Sequence, residues 1–416
     1  MTRTSWLVLP NDSPFSLANL PYGSVVTPQG EQHAVVRVGD QVVDLWQLCE
    51  AGLLRLPGTR ANPFLGPLNA FAALGKPAWE ATRQTLLELL AEQQPRLRED
   101  AALRQRAVLP LQQVQVCLPV QVGDYTDFYS SREHASNVGA MFRPENPLLP
   151  NWLHLPVAYH GRASSIVLSG TPIRRPLGQM RPGNEGPPQF GPTQALDYEL
   201  ELAAVIGPGN ALGEPIPIER AEEHLFGLIL FNDWSARDIQ AWEYQPLGPF
   251  LGKNFASTIS PWVVPLAALE PLRCPGPPQE PVLPYLRQSG ATTFDLPLEA
   301  YVNGTRTTQT NFRYLYWSLR QQIAHHTIGG CNLRPGDLLA SGTISGPTPE
   351  SQGCLLERTR RGTQPLTLAD GSRRGYLQDG DEVTLTGTAI LPDGQRIGFG
   401  EASGKVMPSP SLGYLG

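Results

Sequence analysis

Lysine is nearly missing from this 416-residue chain: Lys76, Lys253 and Lys405 are the only ammonium side chains among 32 basic residues. Charge of either sign is thin, at 17% of residues, and 38 acids against 32 bases leave a net charge of −6. A nucleic-acid binder shows a basic excess or stripe, so that class of partner is excluded. The tightest basic run, Arg358-Thr359-Arg360-Arg361, reads as a solvated turn. Cysteine is scarce too: Cys49, Cys117, Cys274, Cys331 and Cys354 lie far apart, odd in number and without a CxxC pair. Neither a disulfide framework nor a zinc knuckle is indicated. Long apolar runs are also absent. Trp6 to Leu9, ended by Pro10, is too short for a signal-peptide core, and nothing approaches the ~18 residues that span a bilayer. The expectation is a soluble, cytoplasmic protein with no membrane partner.

Glycine and proline, by contrast, are abundant. The 41 glycines and 42 prolines make up about a fifth of the chain, against a usual share of about 12%. They punctuate apolar sequence, which favours many turns between short strands. Residues 1–118 read as a unit of their own. Val35–Val38 and Gln41–Leu45 flank Gly39-Asp40, a hairpin signal. Trp79, Thr82, Leu86, Leu89 and Leu90 recur at helical spacing between Pro77 and Pro95. A short strand, Val114–Leu118, leads to the boundary at Pro119. In 119–416, Leu196–Ile206 alternates, Leu225–Phe231 is a continuous apolar run, and Asn303-Gly304 marks a tight hairpin. Phe312, Leu315, Leu319 and Ile323 predict one amphipathic helix over 311–326. Asp379-Gly380 and Asp393-Gly394 separate the C-terminal strands. The fold class is mainly β with accessory helices.

Glu199 and Glu201 are the most informative candidates. Residues i and i+2 of a strand share a face, so both carboxylates project together, about 6–7 Å apart. Like charges that close raise each other's pKa unless a cation sits between them. The plain alternative is a solvated strand face. Asp233, at the end of an apolar strand, weakens that alternative. Asp127 is a fourth candidate. Read as a helix, its segment puts Asp127 and His134 on one face about 10.5 Å apart, an acid for a metal and a histidine beyond it. The alternative there is a helix cap and a surface histidine. An oxygen-only set suits calcium or magnesium rather than zinc. Lys253, in a glycine-bounded aromatic run, could be a buried charge near an anionic group. Other motifs fail: Gly398–Lys405 lacks Walker spacing, Gly342–Gly346 puts its serine one place late for a nucleophile elbow, and the adjacent His325 and His326 cannot share a ligand face.

The run Asp124–His134 closely resembles the opening of the catalytic domain of the fumarylacetoacetase family. So do Pro150–Pro156, Asn232–Gln240, Gly248–Lys253 and Leu338–Gly346. The resemblance covers essentially all of 119–416 and implies a mixed β-roll catalytic domain there. Residues 1–118 are similar in size and strand character to the family's small SH3-like β-barrel N-terminal domain. It further implies that Asp127, Glu199, Glu201 and Asp233 hold a catalytic calcium. His134 would be the general base oriented by Glu357, while Arg237, Gln240 and Lys253 would stabilise the charge developing on the attacked carbonyl. Tyr129, Arg143, Tyr159, Gln240, Tyr244 and Thr343 fall where the family binds substrate. A magnesium would sit near Asp233, Lys253 and Ser257; the family usually has threonine at the last position, and the hydroxyl survives.

The implied activity is hydrolytic carbon–carbon cleavage of a 1,3-diketo acid, fumarylacetoacetate, into fumarate and acetoacetate, in tyrosine and phenylalanine catabolism. A homodimer is the implied assembly. Two other readings stand beside it. One is a 2-oxo acid decarboxylase or isomerase on the same scaffold; the other is a non-catalytic metal-binding β module.

Overall fold

The computed structural model describes residues 4–10, 12–184 and 186–411. It is mainly β with accessory helices, as the turn-rich composition predicts. Three larger sheets organise it. The first is antiparallel with five strands, in the order Val108–Pro110, Gln41–Asp44, Gln32–Val38, Tyr22–Val26, Gln115–Cys117. Its tightest connection is the expected hairpin, in which Val38 pairs with Gln41 across Gly39-Asp40 and Gly39 takes φ +59°. The strand stops one residue earlier than expected, at Asp44. Its carboxylate accepts from the Gln47 amide and so starts the helix Leu45–Glu50. The helix over Lys76–Leu89 buries Trp79, Thr82, Leu86 and Leu89, the stripe legible in the sequence.

The second sheet carries the candidate site. Its main path runs Ala158–His160, Tyr125–Phe128, Leu338–Ala340, Leu200–Ile206, Leu225–Asp233, Ser257–Ile259, Ile166–Leu168, with Val264–Pro265 also paired to Leu225–Asp233. Leu225–Asp233 is buried along its whole length, so both faces must be covered. The alternation of residues decides what covers each. Leu200, Leu202, Ala204 and Ile206 enter one core with Leu298, Leu385 and Phe399 of the third sheet. Ala203 and Val205 face the other way, into a core with Ile229, Phe231, Phe71, Trp79 and Tyr22. The first 118 residues therefore share their core with this sheet. Phe226 is the junction, with its ring 5.2–5.6 Å from those of Tyr22, Phe71 and Trp79. The third sheet has the order Thr305–Asn311, Pro297–Val302, Glu382–Ile390, Arg396–Met407, Ile173–Arg174. At its Asn303-Gly304 turn both residues take positive φ (+49° and +73°), as a tight hairpin of this type requires.

Three local expectations are corrected. The helix predicted over 311–326 divides into a 3-10 turn, Phe312–Tyr314, and a helix, Leu319–Thr327. The Ser318–Gln321 capping box starts the second piece and interrupts the first; Phe312 and Leu315 are buried all the same. The alternating run from Leu196 is likewise in two parts, Leu196–Asp197 pairing with Ser235–Ala236 and Leu200–Ile206 lying in the large sheet. Asp127 lies on the strand Tyr125–Phe128, whereas the helix carrying His134 begins at Arg132 behind a Ser131 cap. The two do not share a helix face.

Truncating the junction, Phe226→Ala, is expected to cost about 3–5 kcal/mol, the usual loss for a buried aromatic. Urea unfolding followed by tryptophan fluorescence measures it. A loss under about 1 kcal/mol would mean that the first 118 residues and the sheet are not held together through this ring.

Candidate active site

The site sits where the large sheet's alternation changes from apolar to acidic. Glu199 and Glu201 continue the face of Ala203 and Val205; Asp233 continues that of Ile229 and Phe231; Asp127 continues that of Tyr125. All four carboxylates are buried. One oxygen from each lies within 4.8 Å of one from every other. The paired glutamates are thus no solvated strand face. Asp127 and Glu201 each keep one buried oxygen, Oδ1 and Oε1, without a hydrogen-bond partner. Buried orphan oxygens cost free energy unless something binds them. An all-oxygen donor set of this density fits a hard divalent cation.

The loops close onto this centre through glycine. Gly342, at φ +76°, donates its N–H to Glu201 Oε2 at 2.9 Å. A Cβ there would stand 2.2 Å from the Phe128 carbonyl oxygen, so no other residue fits. Gly252 lies against the backbone of Gln240, with its would-be Cβ 2.7 Å from Gln240 Cβ. That close approach brings Lys253 inward.

Two buried cations meet the carboxylates. Lys253 Nζ lies 2.5 Å from Glu199 Oε2 and 2.6 Å from Asp233 Oδ2. Arg237 donates through Nη1 to Glu199 Oε1 at 2.7 Å and through Nε to Asp197 Oδ2 at 2.9 Å. Arg237 Nη2 stands 2.9 Å from the same Asp197 oxygen but makes no aligned hydrogen bond. Tyr159 donates to Asp233 Oδ2 at 2.6 Å, and Ser257 to Oδ1 at 3.3 Å. The electrostatics divide the set. Burial would raise Glu199, but Lys253, Arg237 and His134 hold it well below the usual carboxylate range. Burial lifts Asp127 and Glu201 well above it, reinforced by their acidic neighbours and only partly opposed by Lys253. Burial also works against Lys253, yet Asp233 and Glu199 keep its ammonium more basic than usual.

Beside this centre, His134 Nδ1 is 2.5 Å from Glu357 Oε2. Asn137 donates to Oε1 of Glu357 at 2.8 Å, while Ser345 and Cys354 donate to Oε2 at 2.8 and 3.2 Å. Burial disfavours the Glu357 carboxylate, but His134 and these donors hold it below its ordinary pKa. The Cys354 thiol is pushed far up by burial and by Glu357 and Asp197, so it serves as a donor and not as a nucleophile. The Tyr129 ring meets His134 edge-on at 5.3 Å. Thr343 is buried with its hydroxyl unpartnered.

Three other expected residues lie on helices or at their ends. Gln240 lies one turn beyond Arg237 on the helix Arg237–Glu243. Arg143 is exposed and donates to the Pro147 carbonyl at 3.3 Å; the Tyr244 hydroxyl, also exposed, accepts from Gln245 at 3.2 Å. Among the described residues none of these three hydrogen-bonds to the carboxylates. Sequence reasoning missed Asp197, Asn137, Ser345 and Cys354. Asp197 had a signal, two places before Glu199 in the same alternating run; the others had none.

Fold and site together define a β-rich enzyme with a buried carboxylate centre for a metal and a histidine–glutamate pair beside it. The family model described as fumarylacetoacetate (FAA) hydrolase C-terminal matches residues 124–406, and that for the fumarylacetoacetase N-terminal region matches 18–119. The fumarylacetoacetase of Bos taurus is 53% identical, covering 98% of this chain and 100% of its own length. That of Arabidopsis thaliana is 51% identical, covering 98% and 99%. A solved fumarylacetoacetate hydrolase from psychrophilic Exiguobacterium antarcticum shares the fold, with a TM-score of 0.54 at 18% identity over 94% of this chain and 99% of its own. The chain belongs to the fumarylacetoacetase family.

Carboxyls raised on folding make the native state bind more protons than the unfolded one, so stability falls as pH rises above the usual carboxylate range. Chelator-treated protein is therefore expected to lose urea resistance between pH 5 and pH 8, and a millimolar divalent cation to abolish that loss. A chelated protein equally stable across this range would show that Asp127 and Glu201 carry no such strain.

Proposed function

We infer that the chain hydrolyses fumarylacetoacetate to fumarate and acetoacetate, the step that completes tyrosine and phenylalanine breakdown. The observation that carries the mechanism is the His134–Glu357 pair set against four convergent carboxylates. Asp127, Glu199, Glu201 and Asp233 are proposed to hold calcium, which their orphaned oxygens fit. When bound, that ion supplies Lewis-acid polarisation of the substrate's 1,3-dicarbonyl. A second ion, magnesium, is proposed near Asp233, Ser257 and Lys253. Lys253 Nζ has no lone pair to give and is committed to Glu199 and Asp233, so only its carbonyl oxygen could contribute.

Glu357 keeps the Nδ1 proton on His134, which leaves Nε2 as the acceptor for a proton from water. The water oxygen adds to the carbonyl carbon of the fumaroyl group, the one bonded to the methylene between the two ketones. Arg237, with an N–H still unpaired, Lys253 and Gln240 meet the negative charge that this places on oxygen. The carbon–carbon bond then breaks, its electron pair leaves on the acetoacetate fragment as an enolate, and the His134 imidazolium returns the proton. Arg143 pairs with a substrate carboxylate; Tyr129, Tyr159, Tyr244 and Thr343 orient the rest. Arg143 and Tyr244 are exposed, so in this reading they meet the substrate from the solvent side.

The boundary at 118/119, a homodimeric assembly and a cytoplasmic location belong to the same reading. The last has the support that no helix among the described residues is long and apolar enough to cross a membrane.

Incubation with fumarylacetoacetate and calcium is expected to yield equimolar fumarate and acetoacetate, a yield lost on chelation and restored by metal. Carbon dioxide or an isomer as product would refute the reaction. His134→Ala should lower turnover about 10²–10⁴-fold, the usual worth of a general base, with calcium affinity by isothermal titration unchanged. Turnover surviving that change would refute the role of His134.

A further inference from the structure

Asp197 lies outside the four-carboxylate set and carries no role in the mechanism above, yet it touches both halves of it. It is completely buried. Its Oδ1 accepts from the Leu355 amide at 2.7 Å and the Tyr198 amide at 2.8 Å. Its Oδ2 accepts from the Leu356 amide at 2.9 Å and from Arg237 Nε at 2.9 Å. Four N–H donors converge on two oxygens. No acceptor among these contacts is left for a carboxyl proton, so the geometry is that of a carboxylate.

Apart from the adjoining Tyr198 amide, the donors come from two places. Leu355 and Leu356 immediately precede Glu357, the residue that orients His134. Arg237 is the guanidinium assigned to the developing oxyanion, and its other anchor is Glu199. The Asp197 strand pairs with Ser235–Ala236, the residues just before Arg237. One buried side chain thus spans a gap of 158 residues to Leu355 and of 40 to Arg237. No other side chain hydrogen-bonds to both groups among the described contacts. We propose that Asp197 is a positioning residue that sets the base side and the oxyanion side of the reaction in one register. The proposal rests on the assignment of His134, Glu357 and Arg237 made above.

The physical reason for needing such a tie is distance tolerance. A base and an oxyanion donor act on the same substrate carbon, and a displacement of about 1 Å can cost about 10²-fold in rate. Asn at 197 keeps the shape and one acceptor. It also turns an amide group toward donors that it cannot satisfy, which frees the guanidinium to pivot about Glu199.

The test is a double-mutant cycle on the metal-loaded full chain, with fumarylacetoacetate as substrate. Asp197→Asn is expected to lower kcat about 100-fold, with KM and calcium affinity within about threefold of wild type. In an Arg237→Ala background the same substitution should cost only about tenfold, because one of its two arms already has nothing to hold. If the Asn chain does not fold, the cycle is run with Asp197→Glu, whose displaced carboxylate should give a smaller loss with the same non-additivity. An equal loss in both backgrounds, or a loss carried in KM or metal affinity, overturns the positioning role. Wild-type turnover in both His134→Ala and Arg237→Ala would instead overturn the underlying mechanism, so the two failures are distinguishable.

Discussion

Mutual repulsion among buried carboxylates is the constraint around which the site is built. Asp127, Asp197, Glu199, Glu201 and Asp233 are all buried, and Arg237 and Lys253 are the cations that touch them. Two positive charges do not balance five negative ones in a low-dielectric interior. The imbalance appears as a division of labour. Glu199, touched by both cations, stays strongly acidic, while Asp127 and Glu201, touched by neither, are driven toward their neutral forms. A divalent cation at the centre would relieve that strain, most of all where the orphan oxygens are found. Charge compensation, oxygen donors and unmet hydrogen-bond capacity all point to the same few ångströms.

The fold concentrates this repulsion by using one sheet in two ways. Its strands are apolar on both faces along most of their length, as continuous burial of Leu225–Asp233 requires. At one end, the face that elsewhere packs on the first 118 residues becomes acidic: Ala203 and Val205 give way to Glu201 and Glu199, and Phe231 to Asp233. The hydrophobic layer that stabilises the fold also walls the acidic centre from water. Gly342 and Gly252 then admit the loops that carry the remaining groups. Stability and chemistry share a single sheet, with the Phe226 junction near one end of Leu225–Asp233 and the carboxylate centre at the other.

Much of this was legible locally. The i, i+2 spacing of Glu199 and Glu201 predicted a shared face, and the apolar run ending at Asp233 predicted a carboxylate at a strand end. The rarity of lysine drew attention to Lys253, and it proves to be the ammonium at the centre. The errors were also local in origin. Helical spacing of Phe312 to Ile323 reflected a buried stripe that a capping serine divides in two. Asp127 and His134, seven residues apart, were placed on one helix because spacing alone cannot see the turn at Ser130-Ser131 that separates strand from helix. Gln240, Arg143 and Tyr244 are a different case: family resemblance alone pointed to them, since no local spacing does.

By itself the sequence determined the class of the protein: a mainly β chain, turn-rich, with acidic residues spaced as a hard cation would need them. Those properties follow from composition and from periods of two and four residues, which are local. Only the tertiary structure decided which carboxylates converge, which of them carry charge, and how His134 meets Glu357 across 223 residues. It also decided that Asp197, unremarked beside its glutamate neighbours, ties Arg237 to the segment of Glu357. Such relations depend on sheet order and on exclusion of water, and neither is written in any short stretch of chain.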